Sequence, residues 1–287
     1  MFTLKIDNHK QQVFELTHDT KNYVVIGIQG LTRPPTTVNT SIAGSIDGAF
    51  FNSSRLEQRN LVITIVLRGN IEENRQKLYK IFPCKTACTI YFKNANRSVK
   101  IDGYVETLEA DLFVMQERVQ ISIICPRLYF EDLQTIYEEI STTVRLFEFP
   151  FDISEPIPFA EIYNEPHAFI TNLGDADTGM IITVSIDQIE SGETVDTLSI
   201  SNMMTGQSFI LSYAFQEGDK IIINTRQGEL SAKILRNDAY INVLNAVQDG
   251  STWLRLIAGY NDITLNFGTA SPTNTASIET VWMYGGV

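Results

Sequence analysis

LVITIVLRGNIEENRQKLYKIF, residues 61–82, passes directly from a strand pattern into a helix pattern and decides how the first half of the chain folds. In the strand part, side chains alternate between two faces, and both faces are at least half apolar. One face carries Leu61, Ile63, Ile65 and Leu67, and the other carries Val62, Thr64, Val66 and Arg68. Because a strand with two apolar faces needs cover on both sides, the pattern predicts a central strand.

The helix part begins after Gly69, which ends the strand. We expect the side-chain oxygen of Asn70 to cap the helix, and Glu73 to favour its positive N-terminus. Pro83 stops the helix, because proline lacks the backbone donor and clashes with the preceding turn. The side predicted to pack on a sheet carries Ile71, Leu78 and Phe82, flanked by Tyr79 and Ile81; the opposite side carries Glu72, Glu73, Gln76, Lys77 and Lys80.

The net charge of −12 is distributed unevenly along the 287 residues. Residues 1–130 contain 16 Lys or Arg against 12 Asp or Glu, a balance of +4. Residues 131–287 contain 6 against 22, a balance of −16. An acidic surface repels nucleic acids and anionic membranes, so we expect neither as a partner.

Composition places the chain among ordinary globular proteins, with 44% hydrophobic and 20% charged residues. No apolar run approaches the roughly 20 residues of a membrane-spanning helix, and the first residues lack the pattern of a signal peptide. The three cysteines, Cys84, Cys88 and Cys125, lie beside apolar residues and are expected to be reduced core thiols. These features favour folding in a cytoplasm.

The sequence predicts a mostly β protein of two domains. Residues 1–148 are expected to form an α+β domain of antiparallel strands with one helix, and residues 167–287 an antiparallel β-sandwich with glycine turns. Residues 149–166 contain four of the nine prolines and are predicted to be an extended linker, marked by Pro150, Pro156 and Pro158. Residues 128–148 fit either strands or a helical connector.

Residues 30–48 are predicted to be an extended, mobile loop. The adjacent prolines Pro34 and Pro35 and three glycines in this stretch disfavour regular structure. Such a loop is available for contact with a neighbouring molecule.

No motif for catalysis or cofactor binding stands out. His9, His18 and His167 are scattered, and no HExxH, phosphate-binding GxxxxGK[ST] or dinucleotide-binding GxGxxG occurs. We therefore expect no enzyme activity, no metal and no cofactor. A glycosidase needs only two carboxylates at the right separation, which a sequence does not reveal, so that alternative stays open as the less favoured one.

Short motifs along both halves resemble the distal tail protein (Dit) family of long-tailed bacteriophages, the siphophages. In the first half these are Asp47-Gly48, LRGN, RQKLYKIF, Gly103-Tyr104-Val105-Glu106 and VQISIICP. In the second half they are Asn172-Leu173-Gly174-Asp175, Glu217-Gly218-Asp219 and Tyr284-Gly285-Gly286-Val287. Each motif is weak alone, but together they cover nearly the whole chain in the family's order.

The resemblance implies a structural baseplate protein of the virion tail tip, assembled in the bacterial cytoplasm. In that family the N-terminal domain builds a ring, usually of six subunits, and a galectin-like C-terminal sandwich projects outward. The ring would connect the major tail (tube) protein to the tail-associated tip protein and to receptor-binding proteins during adsorption to the host.

A cyclic ring needs two different, complementary patches on each subunit. Arginine suits such interfaces, so the candidates are the loop of residues 30–48, the arginines near it and the outer face of the helix. The predicted interface residues are Arg33, Pro34, Pro35, Arg55, Arg59, Arg68, Lys77 and Lys80.

The alternative is a carbohydrate-binding module that recognises a host cell-wall polysaccharide through its C-terminal sandwich. Trp253 is the candidate for stacking on a sugar ring, although a position in the sandwich core is favoured for both tryptophans, Trp253 and Trp282.

Overall fold

The computed structural model describes residues 2–10, 12–42, 44, 47–112, 114, 116–145, 160–268 and 272–287. The chain divides into two compact units. The first unit consists of Met1–Leu133 and Met283–Val287, and the second of Gln134–Trp282. In the described part of the chain no helix is long and apolar enough to cross a membrane.

Most of the first unit is antiparallel β-structure with one helix, as predicted. Its elements are β1 (Thr3–Asp7), β2 (Val13–Thr17), β3 (Tyr23–Gln29), β4 (Thr36–Ser41), β5 (Phe50–Leu56), β6 (Arg59–Leu67), α1 (Ile71–Ile81), β7 (Ala87–Lys93), β8 (Ser98–Ala110), β9 (Arg118–Cys125) and the start of β10 (Phe130–Arg145).

Seven of these strands pair antiparallel in the order β2, β1, β7, β8, β9, β6, β3. Strand β6 lies between β9 and β3, which confirms the prediction that it is central. One face of β6 is buried together with residues of β7 and β9. The eight residues, each at most 2% exposed, are Leu61, Ile63, Ile65, Leu67, Ile90, Val119, Ile121 and Ile123. This face is the core of the first unit.

Helix α1 ends before Pro83 as predicted, and Leu78 and Phe82 are buried. The predicted cap is absent, because Asn70 makes no side-chain cap bond; its amide instead donates to Glu73 Oε2 at 3.0 Å. Two polar residues missed by the sequence reasoning, Asn74 and Arg75, also face inward. The Asn74 amide donates to the Arg68 carbonyl at 2.8 Å, which ties the helix to the strand before it.

Arg75 is held by carboxylates. Its Nη1 lies 2.8 Å from Glu117 Oε2, and it also pairs with Glu72 one turn earlier. On the outer side of the helix, Lys77 Nζ lies 2.7 Å from Glu73 Oε1. The helix therefore packs through a mixed apolar and charged face.

The predicted loop of residues 30–48 is different in the structure. Its residues Thr36–Ser41 form β4, which pairs only with β5 among the described strands. We call the paired strands β4 and β5 the arm. The prediction failed because threonine, valine and asparagine alternate over β4, a short strand pattern that the two prolines before it obscured.

The second unit contains two antiparallel sheets, in agreement with the predicted β-rich C-terminal half. Its further elements are β11 (Ala160–Asn172), β12 (Met180–Gln188), β13 (Thr197–Asn202), β14 (Gln207–Ser212), β15 (Lys220–Asn224), β16 (Ser231–Arg236), β17 (Ala239–Asn242), a 3-10 turn (Leu244–Ala246), β18 (Gly259–Asn266) and β19 (Thr273–Tyr284). One sheet has the order β10, β11, β18, β13, β14, and the other β19, β12, β15, β16, β17.

The boundaries of the units differ from the predicted ones. The division falls within β10 and again within β19, so that the last residues of the sequence belong to the first unit. Residues 128–148, for which the sequence allowed either strands or a helix, are strand β10 over Phe130–Arg145. Residues 160–166 of the predicted linker belong to β11, and Pro150, Pro156 and Pro158 lie outside the described residues.

Two of the three cysteines are core residues as expected. Cys88 and Cys125 are buried, and burial raises the pKa of each thiol to about 12. Cys84 is exposed instead, because it lies in the turn after the helix.

Leu78→Ala is expected to destabilise the first unit by about 3 kcal/mol, because the fully buried leucine holds α1 on the sheet. Leu133→Ala, which makes the same change at an exposed leucine of the first unit, is the matched control: Leu133 is 48% exposed, and its truncation should change stability by less than about 0.5 kcal/mol. Urea unfolding followed by circular dichroism measures both. Equal effects of the two substitutions would contradict this packing.

Candidate interaction site: the arm and its root

The arm has one apolar and one polar face. Its register places Thr36 opposite Leu56, Val38 opposite Ser54 and Thr40 opposite Phe51. Because partners across a hairpin share a face, Val38, Phe51 and Leu56 lie together. The opposite face carries Asn39 and Ser53, joined by a hydrogen bond of 3.0 Å, with Thr37 and Arg55 before them and Ser41 and Phe50 beyond.

The apolar face of the arm lies open to solvent. Val38 is 54% exposed, Phe51 66% and Leu56 39%. A hairpin of two strands is marginally stable by itself, and an open apolar face adds a further cost in water. Such a face is typical of a surface that another molecule covers.

The root of the arm consists of residues 30–35 and 57–59, and it is closed by hydrogen bonds. The Glu57 N–H donates to the Pro35 carbonyl at 2.9 Å, and the Thr37 hydroxyl donates to the Glu57 carboxylate. Gly30 has a φ of +83°, and a Cβ there would lie 2.1 Å from the Asn60 carbonyl oxygen. Only glycine fits this position, so the chain enters the root along a fixed path.

Arg59 fills the root from within. It is 1% exposed, and its guanidinium donates to the carbonyls of Gly30 and Thr32. Nη2 donates to the Leu128 carbonyl at 2.9 Å and to the Gly285 carbonyl at 2.7 Å, and Nε lies 3.1 Å from the same Leu128 oxygen. One side chain thus joins several separate parts of the first unit.

The charge of Arg59 is balanced by carbonyl dipoles rather than by a carboxylate among the described residues. Burial lowers the pKa of the guanidinium, because removal from water disfavours the charged form. The Phe130 ring, 4.4 Å from Arg59 Cζ, adds a cation–π contact. Arginine remains charged under these conditions and keeps its five donors in a fixed fork.

The structure places the predicted interface residues in three settings. Arg33, Pro35 and Arg55 are exposed on the arm and its root, and Arg68, Lys77 and Lys80 are exposed on and before α1. Pro34 is buried. Arg59, predicted as an interface residue, is 1% exposed inside the root, where it has a structural role, and we do not include it in the proposed interface.

Trp253 is half-buried, and its ring centroid lies 4.9 Å from that of Phe209. One side of the indole is therefore engaged within the second unit. Trp282 is 6% exposed, as expected of a core residue. Within the described residues, no group of three or more His, Cys, Asp or Glu side chains is arranged to hold a metal ion.

Sequence reasoning missed the buried role of Arg59, although a signal was present. Arg59 precedes Leu61 by two residues and therefore shares the face of β6 that carries Leu61, Ile63 and Ile65. The apolar hairpin face was missed for a second reason. Val38, Phe51 and Leu56 come together only through the register of two strands that a connection separates in sequence, and one bulge shifts that register.

Arg59→Lys is expected to destabilise the first unit by about 2–4 kcal/mol, because one ammonium group cannot reach the carbonyls that the guanidinium fork joins. Arg118→Lys, which changes an exposed arginine of β9 in the same unit, is the control and should be neutral. Thermal unfolding of the purified variants measures the difference. An unchanged melting temperature for Arg59→Lys would contradict the structural role.

Two family models match the chain, one in each half. The model described as a phage tail protein RIFT-related domain matches residues 9–125. The model described as a siphovirus-type tail component, C-terminal domain, matches residues 173–282. No curated protein sequence matches the chain.

Solved structures resemble the fold over almost the whole length. The crystal structure of SPP1 Dit, described as a paradigm of the hub adsorption apparatus in phages that infect Gram-positive bacteria, matches with a TM-score of 0.70 at 12% identity. The match covers 99% of each chain. A chain of the phage P2 baseplate in its activated conformation with Ca matches with a TM-score of 0.49 at 11% identity, over 97% of this chain and 98% of that one.

The first comparison shows that the fold of SPP1 Dit extends over both units, and the second is too weak to add to it. The two family models match in the order of the siphophage tail proteins and together span most of the residues. The chain belongs to the siphophage distal tail protein family and is a component of the phage tail.

Proposed function

We propose that the chain assembles into a ring of six copies that forms the hub at the distal end of the tail. The ring connects the tail tube protein to the tail-associated tip protein and to receptor-binding proteins during adsorption to the host. Its role is structural and not catalytic. The description of SPP1 Dit as part of a hub adsorption apparatus supports this proposal, together with the family to which the chain belongs.

The observation that carries the ring is the arm. It presents Val38, Phe51 and Leu56 on one open face, and it pairs with no other described strand. A closed ring repeats the same head-to-tail contact around its axis, so a protruding element of one copy meets a different surface of the next. The arm has the shape and the apolar character that such a contact requires.

The second patch that we propose is the outer face of α1. Lys77 and Lys80 are exposed there, and Tyr79 between them is 42% exposed. Long lysine stems and an aromatic ring provide apolar contact area beneath charged ends. Arg33, Pro35 and Arg55 on the arm and its root, and Arg68 before the helix, complete the proposed interface.

The charge distribution supports different roles for the two units in assembly. The balance of −16 over residues 131–287 would resist close packing of six second units around an axis. We therefore assign the ring to the first unit, and contact with the other tail-tip proteins to the second.

The purified protein is expected to have about six times the 32.3 kDa mass of one chain in multi-angle light scattering. Phe51→Ser should reduce this mass to that of one chain, because Phe51 is the most exposed of the three apolar residues Val38, Phe51 and Leu56. Phe50→Ser is the matched control, since Phe50 is similarly exposed at 54% but lies on the opposite face, and its mass should stay high. A single-chain mass for the wild-type protein at every concentration would argue against the ring.

Lys77→Glu/Lys80→Glu should leave the circular dichroism spectrum unchanged, because both lysines are exposed. The double substitution reverses the charge on the proposed second patch and should reduce the mass of the assembly. Lys93→Glu, which changes an exposed lysine at the end of β7, is the control. An assembly of unchanged mass would remove the outer face of α1 from the interface.

A further inference from the structure

We propose that the first unit has a binding site for the segment Met283–Val287, and that occupation of this site fixes the root of the arm. The occupant is a Gly-Gly segment of this chain, bound mainly through its backbone. This inference deepens the proposed function, on which it rests for its consequence in ring assembly.

Two arginines bind carbonyl oxygens of the segment. Arg59 Nη2 donates to the Gly285 carbonyl at 2.7 Å, and Arg97 Nη1 donates to the carbonyl of Gly286. In the other direction, the Val287 N–H donates to the Leu31 carbonyl at 3.1 Å. Three successive residues are thus held by their backbones, which is how a site binds an extended peptide.

Tyr284 anchors the segment by its side chain. The ring is 8% exposed, with Arg97 Cζ 4.2 Å from the ring centroid. Its hydroxyl donates to Asp132 Oδ2 at 3.0 Å. A buried aromatic ring with a satisfied hydroxyl is the usual anchor of a bound peptide.

The site accepts glycine at position 286 because the backbones approach closely there. A Cβ on Gly286 would lie 3.2 Å from the Leu31 carbonyl oxygen and 3.4 Å from the Thr32 backbone. A larger side chain at this position would therefore push the segment away from residues 31 and 32.

These contacts converge on the root of the arm. Gly30 and Thr32 accept hydrogen bonds from Arg59, while Leu31 accepts one from Val287 and faces Gly286. Three consecutive root carbonyls are thus held by Arg59 and by the bound segment. Because an arm that emerges from a fixed root loses less orientational freedom on docking, occupation of the site favours assembly.

Hydrogen exchange of the arm root tests this inference. The reporters are the Glu57 amide, which closes the root, and the amides of the arm ladder. All proteins in this experiment also carry Phe51→Ser. The proposed function predicts that they are monomers, so a neighbouring copy cannot protect the amides from exchange. Deletion of residues 285–287, which leaves β19 intact, should accelerate exchange of these amides about tenfold.

Gly286→Val should produce a similar acceleration without a deletion, because its side chain blocks the close approach to Leu31. Val287→Ala is the matched control: it keeps every backbone contact of the segment and should leave exchange unchanged. Peptides from Met180–Gln188 in the second unit should exchange as in the parent protein for all three variants.

Two results would overturn the inference. One is unchanged exchange of the root amides in both the deletion and Gly286→Val. The other is loss of protection throughout the first unit, which would mean that the segment is an ordinary part of the core of that unit. The mass of the wild-type protein tests the proposed ring independently of the exchange experiment. If wild-type protein is a single chain while the root still loosens in these variants, the ring fails and the binding site stands.

Discussion

The guanidinium of Arg59 is the interaction on which the organisation of the first unit depends. It joins residues before the arm, Leu128 near the start of β10, and Gly285 in the last residues of the sequence. A buried arginine that pairs with no carboxylate among the described residues needs several carbonyl oxygens, and Arg59 receives them from three segments that are far apart in sequence. Removing Arg59 would therefore loosen several connections at once.

The arm differs from the rest of the unit in how it is stabilised. The sheet around β6 buries its apolar side chains within one chain, whereas Val38 and Phe51 are left in water. The rigid root and the exposed apolar face of the arm have complementary effects on assembly. A fixed root holds the apolar face in one orientation, which lowers the entropic cost of docking. Contact with another copy then removes the exposed apolar side chains from water, which is favourable.

The sequence predicted β6 and α1 well because both depend on periodicities within a few residues. The alternation from Leu61 to Leu67 and the stop at Pro83 require no knowledge of distant parts. The prediction of a helix cap at Asn70 was wrong, because its side chain bonds to Glu73 instead of to the backbone. The buried position of Arg75 was missed, because arginine is rarely buried and its partner Glu117 lies 42 residues away. The site was harder to predict than these elements, because the carbonyl partners of Arg59 and the contacts of Met283–Val287 are fixed by tertiary structure and have no pattern in sequence.

Contact between the arm and a second copy of the chain is the central proposal, and cross-linking tests it most directly. A photoreactive phenylalanine analogue at position 51, in an equal mixture of isotopically light and heavy chains, distinguishes contacts between copies from contacts within one. We expect mixed light–heavy cross-links from position 51 to the first unit of another copy. Cross-links confined to single chains, or none, would contradict the proposal.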